Sequence, residues 1–137
     1  MDSHISEIFG NDRRRMSRRQ VRLPVSVSLI ETDAPADAVH RPLAVLGYTR
    51  DISVDGLALI LPSISMGGDI TDRENYMLRI ILALPVGDVE MNAIAVRHER
   101  LDTNSPDIGY LIGARISEMS ERERDLYLEY LRILGGD

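Results

Sequence analysis

The chain has no cysteine, no lysine, no tryptophan and a single phenylalanine. Without cysteine there is no disulfide, no thiolate-held metal and no thiol nucleophile, and a reducing cytoplasm is the expected setting. With only five tyrosines for aromatic bulk, the core has to be aliphatic. No run of about 18 apolar residues occurs, so no membrane-spanning helix or membrane insertion is expected. The first twenty residues hold no apolar stretch of signal-peptide type, and no secretory signal is expected either. Enzyme signatures are missing too. There is no Gly-x-Ser-x-Gly elbow and no Gly-Lys-Ser/Thr phosphate loop. His4, His40 and His98 are isolated and show no metal-ligand spacing. Acidic pairs fall in loops and on the C-terminal helix, where they read as surface charge; His98, between Arg97 and Glu99, reads as a solvent-facing strand residue. Neither catalysis nor a bound metal is expected.

What is present suits one ordinary soluble domain. The 137 residues are 44% hydrophobic and 28% charged, a balance that supports a single core and argues against disorder. The net charge is −6, yet "DRRRMSRRQVR" at residues 12–22 gathers six arginines with no acid between Arg13 and Arg22. Six of the 16 basic residues lie there, leaving 10 against 22 acidic residues elsewhere. Such a body repels a long polyanion, so DNA or RNA binding is not expected. Arginine alone, with its planar fork, favours local recognition of phosphate or base edges.

Residues 1–12 form a polar lead-in. From residue 21 the apolar residues alternate: Val21, Leu23, Val25, Val27 and Leu29 lie on one side of a strand, with Pro24 marking an edge or bulge. Residues 31–42 are rich in turn formers. Further strands are read at 43–52, 56–62, 76–85, 89–101 and 108–116. The Asp55-Gly56 step is a hairpin cue, since glycine takes positive φ cheaply. Val86, Gly87 and Asp88 make another turn, and Val89, Met91, Ala93 and Ala95 share one face. The period then changes. Ser120 with Glu123 reads as a capping box, and Leu126, Tyr127, Tyr130, Leu131 and Leu134 line one helix face before Gly135 and Gly136. Six strands followed by one helix predict a mainly β fold: a six-stranded antiparallel (split) barrel closed by a C-terminal α-helix.

Two short stretches carry the chemistry. Within the arginine run, pairs spaced Arg-x-x-x-Arg are read at 14/18, 15/19 and 18/22. The second stretch is "DISVDG", residues 51–56. Each alone has a plain structural reading, as an exposed tail and as an Asx turn. Together they resemble the PilZ domain family, whose pattern is Arg-x-x-x-Arg followed some dozens of residues later by Asp/Asn-x-Ser-x-x-Gly. Asp51, Ser53 and Gly56 match every fixed position of the second element. Leu23-Pro24-Val25 resembles the family's strand start and selects Arg14 and Arg18, with 15/19 as the other register and Arg22 left exposed on the strand.

The resemblance implies a receptor for cyclic di-GMP, with no other cofactor. The domain would span 13–134, with a mobile arm at 13–22. A guanidinium fork can grip a phosphate or the O6/N7 edge of guanine. Asp51 can accept from guanine donors, Ser53 offers a hydroxyl, and Gly56 admits close backbone approach. Arg13 and Arg15 flank the pair, and an arginine just before the motif resembles members that bind an intercalated dimer instead of one molecule. Arg97 is placed to reach the ligand from the barrel, or else is an exposed strand arginine. Output would pass through an unknown protein partner. A PilZ-like adaptor with little nucleotide affinity, or a nucleic-acid-binding barrel, are the other readings.

Overall fold

In the computed structural model, residues 18–30, 44–62, 76–101 and 109–135 are described. They form β1 (Arg19–Gln20), β2 (Pro24–Leu29), β3 (Val45–Ile52), β4 (Gly56–Leu61), β5 (Met77–Leu84), β6 (Gly87–Arg100), β7 (Tyr110–Glu118) and one helix, α1 (Glu121–Leu134). The expected lead-in at residues 1–12 lies outside the described residues.

All pairings are antiparallel. The strands follow one another in the order β3-β2-β5-β6-β7-β4, and β4 pairs back onto β3, which closes a six-stranded barrel. The expected barrel and terminal helix are therefore present. Alternation decides which side chains turn inward. Val25, Val27 and Leu29 of β2 meet Leu78, Ile80 and Leu82 of β5 in the interior, as the period of two requires. Strand β4 reads "GLALIL" and is buried along its whole length. Its Leu57, Leu59 and Leu61 join the interior, while Ala58 and Ile60 join Leu111 in a second, smaller cluster on the outer face. An unbroken apolar run marks a strand covered on both sides.

The seventh strand, β1, lies outside the barrel and pairs with β3 beyond the stretch that β2 covers. A two-residue strand carries no periodicity, which is why alternation shows six strands only. The register gives its origin. Gln20 pairs with Asp51 and Pro24 with Tyr48, so four steps on the entering chain oppose three on β3. One residue is in excess, a bulge placed immediately before Pro24. The Thr49 hydroxyl spans the irregularity. It donates to the Val21 carbonyl at 2.5 Å and accepts from the Leu23 amide at 2.9 Å. Thr49 is 1% exposed, so these bonds are made away from water.

Helix α1 starts at Ser120, whose hydroxyl accepts from the Glu123 amide at 3.2 Å. The capping box is modified. Glu123 does not reach back to the Ser120 amide; its Oε1 takes the Ser120 hydroxyl and its Oε2 the Glu90 amide of β6 at 2.8 Å. The carboxylate thus anchors the first helical turn to the barrel. Tyr127 and Leu131 enter the interior cluster, with Leu126, Tyr130 and Leu134 packed at its margin.

Replacing Thr49 by Val removes the hydroxyl and leaves the Val21 and Leu23 backbone groups without their partner. Urea denaturation should show a loss of about 1–3 kcal/mol, the cost of unsatisfied buried polar groups, and Thr49→Ser should recover most of it.

Candidate ligand-binding groove

The outer wall of the barrel carries a groove of about 480 Å³ where β3, β4, β7 and β6 lie side by side. Four arginines and two aspartates line it: Arg18, Arg50, Arg97, Arg115, Asp51 and Asp55. Four positive charges against two negative ones make a cationic cleft on a chain of net charge −6. Its floor is Gly56, Ala58 and Gly113, of which Ala58 and Gly113 are register partners. Small residues on adjacent strands leave a shallow, flat bed.

Asp51 sits at one end. Its side chain is only 12% exposed, and its two oxygens are divided between two guanidiniums. Arg18 Nη1 donates to Oδ1, and Arg50 Nε lies 3.5 Å from Oδ2. A carboxylate this far from water needs such partners. The arginine run and the Asp-x-Ser-x-x-Gly stretch, 33 residues apart, thus meet in an ion pair. A bulge on β3 at Arg50, where the pairing with β4 slips between Thr49 and Asp51, puts Arg50 and Asp51 together on the groove.

Neighbouring arginines part here. Arg18 lines the groove, whereas the Arg19 guanidinium lies against the end of α1, so close that a Cβ on Gly135 would stand 2.9 Å from Nη2. There it complements the negative end of the helix dipole. Arg22 is exposed, as its strand position implied, and its guanidinium stacks 4.2 Å from the Tyr48 ring centroid, a cation–π contact. Arg13, Arg14 and Arg15 lie outside the described residues.

Ser53 is bonded within its own turn. It is 1% exposed, and its Oγ bonds Asp55 Oδ1 at 3.0 Å and the Gly56 carbonyl at 3.1 Å. It shapes the turn from inside. Gly56 is required for a reason other than the φ argument. Positive φ among the described glycines occurs at Gly87 and Gly109; at Gly56 a Cβ would come within 2.7 Å of the Ala114 carbonyl oxygen of β7. Close strand approach, not turn conformation, is what excludes a side chain there.

Arg97 owes its position to a second bulge. Ala95 is buried, and strict alternation would send Arg97 inward as well. The β6–β7 register slips between Ala95 and Arg97, so Val96 is inserted and Arg97 emerges onto the groove. Its side chain lies across Gly113, where a Cβ would stand 3.3 Å from Nε. His98 is half-buried beside Tyr76, ring centroids 6.3 Å apart, and so is less exposed than its charged neighbours implied. Arg50, Arg115 and Asp55 are groove residues that pattern reading passed over. The bulge that aims Arg50 leaves no mark in sequence, and Arg115 reads as an ordinary outward strand residue.

The helix touches the site from behind. The Tyr127 hydroxyl donates to the Ser53 carbonyl at 2.6 Å. Burial pushes this phenol well above its ordinary range, with a further rise from Asp55 and Asp51 and an opposing effect from the Ser53 bond and Arg18.

A closed antiparallel barrel with a terminal helix and a cationic groove on its wall defines a small binding domain. The PilZ domain model matches residues 12–132, and the chain belongs to the PilZ domain family. Three solved structures share its fold. The PilZ domain of YcgR from Escherichia coli, described with c-di-GMP, gives a TM-score of 0.59 at 14% identity over 89% of this chain and 91% of that one. The Bacillus subtilis inhibitor of motility MotI/DgrA gives 0.58 at 19% identity, over 87% of this chain and 49% of that one; the chain thus spans about half the length of MotI. The PilZ domain of CeSA from a cellulose-synthesizing bacterium gives 0.52 at 19%, over 85% and 96%. The comparison with curated proteins finds no match. Among the described residues no helix is long and apolar enough to cross a membrane.

Tyr127→Phe deletes the bond to Ser53 and leaves a buried carbonyl unpaired. A loss of about 1–3 kcal/mol is expected in chemical denaturation. The pH dependence has a definite sign. A phenol whose folded pKa is raised contributes stability below its unfolded value of about 10 and loses it as pH climbs above that. Between neutral pH and pH 11 the native protein should therefore lose more stability than Tyr127→Phe does.

Proposed function

We propose that this domain is a receptor for cyclic di-GMP that changes shape on binding and passes the signal to a protein partner. The observation that supports this most is the meeting of the two motif halves in one cationic groove, with Arg18 held by Asp51 at its end. In the free protein the groove is partly satisfied by its own ion pair. A phosphate arriving at Arg18 competes with Asp51 for the same guanidinium, and a guanine edge offers Asp51 replacement donors. Ligand and protein thus exchange partners with few polar groups left bare. The small-residue floor suits a planar base. Ser53 and Gly56 act by setting the turn and the strand approach, and Arg13, Arg14 and Arg15 add their grip from the arm.

The route from ligand to partner is short. Residue 18 enters the groove while residue 19 rests on the end of α1, and the motif turn is bonded to Tyr127. Drawing Arg18 toward a ligand pulls on both attachments. In this reading the chain works in the cytoplasm and binds neither DNA nor RNA. It is a switch and not an enzyme, with motility, adhesion or exopolysaccharide synthesis as the controlled process. The motility and cellulose contexts of the structural neighbours point the same way.

Calorimetric titration with cyclic di-GMP tests the proposal. Micromolar or tighter binding is expected, with a stoichiometry that separates one bound molecule from an intercalated dimer. Arg18→Ala and Asp51→Ala should each weaken it about tenfold or more, the effect of removing a charged hydrogen bond. Absence of heat at high protein concentration would exclude the receptor role and leave a PilZ adaptor that acts without the nucleotide.

A further inference from the structure

The groove has a second charged end, away from Asp51. Arg97 of β6 is register partner to Gly113, and Arg115 stands two residues along β7 from that glycine, on the same outer face. Two strand residues span about 6.6 Å, and Arg97 already lies over Gly113. Gly56, partner of Arg115 on β4, has no side chain to intervene. The two arginines therefore share one face of the sheet and one groove, with Gly56 and Gly113 beside them and Val96 next to Arg97.

Neither has an acidic partner among the described residues. The ion pairs there are Arg18 and Arg50 with Asp51, Arg79 with Glu90, and Arg132 with Glu129. Asp55, the other groove carboxylate, takes the Ser53 hydroxyl. Like charges set side by side on a sheet are unfavourable. The arrangement also depends on a bulge, since regular pairing would bury Arg97 beside Ala95. Bulges that re-aim a side chain are features of binding and active sites. An anion between the two forks turns the repulsion into a set of charge-assisted bonds.

We infer that Arg97 and Arg115 form an anion subsite on the barrel wall that takes a phosphate group without help from the arginine arm. Arg18 then acts from the Asp51 end of the same groove, so one ligand can engage both ends. A nucleotide phosphodiester and free phosphate share this chemistry; the inference rests on the receptor reading only for the choice of the first.

The test uses the full chain and two probes. Cyclic di-GMP is titrated into the native protein, Arg115→Ala and Arg115→Lys, while inorganic phosphate is followed through the Gly56 and Gly113 amide signals by NMR. Arg115 is exposed, so both variants should melt with the native protein. The expected result is cyclic di-GMP binding weakened about tenfold or more by Arg115→Ala and partly restored by Lys, which keeps charge but loses the fork. Phosphate should shift both amides in the native protein and neither in Arg115→Ala. Equal cyclic di-GMP affinity in native protein and Arg115→Ala overturns the subsite and leaves the receptor reading intact. No cyclic di-GMP binding with the phosphate shifts retained removes that reading and leaves a free-phosphate site. Loss of both responses removes both.

Discussion

Where the chain enters the barrel, its ladder to β3 is one residue out of step, and the Thr49 hydroxyl makes up the missing bonds. Much hangs on this small device. It lets β1 and β2 share the same edge of β3 despite the extra residue. It sets residue 18 beside Asp51, and so brings together two segments that are 33 residues apart. The next residue of β3, Arg50, is itself a bulge against β4. Two irregularities on consecutive residues twist the end of the strand and turn charged side chains toward one groove. The regular part of the barrel supplies the frame, and its irregular joints supply the chemistry.

The electrostatic plan follows from that frame. An acidic chain keeps a cationic groove by holding its arginines close to, but not cancelled by, its carboxylates. Asp51 is shared between Arg18 and Arg50, and Asp55 is turned to Ser53. Positive potential is thereby concentrated in the groove. The helix and the entering chain are tied to this spot by single contacts. Tyr127 bonds the motif turn, and Arg19 rests on the last turn of α1. The Arg18 segment, the motif turn and the helix are thus in direct contact, with no long relay between them.

The barrel was legible because its signals are local and repeated. Alternation in β2 and β6, and the three-four spacing of Tyr127 and Leu131, each announce a buried face. The family resemblance rested on Arg14, Arg18, Asp51, Ser53 and Gly56; of the four that are described, Arg18, Asp51 and Gly56 line one groove. What the sequence concealed depends on register. Alternation alone places Arg97 with Ala95; only the slip at Val96 turns it outward. Arg50 stands beside Asp51 in sequence, yet adjacency in a strand predicts opposite faces. Gly56 read as a turn glycine, and its cause is a carbonyl on β7, 58 residues away in the chain. The partners of Ser53 lie within its own turn. Pairing with strands remote in sequence decides the cases of Arg97, Arg50 and Gly56, and composition carries no trace of it.

The most direct measurement is an amide NMR titration of the full chain with cyclic di-GMP, which locates the contact and the response together. The account predicts shifts at residues 18, 51, 56, 97 and 113, accompanied by changes at the Arg19 contact and along α1. Shifts confined to the opposite wall, at β2 and β5, or a spectrum unchanged at saturating ligand, would contradict it.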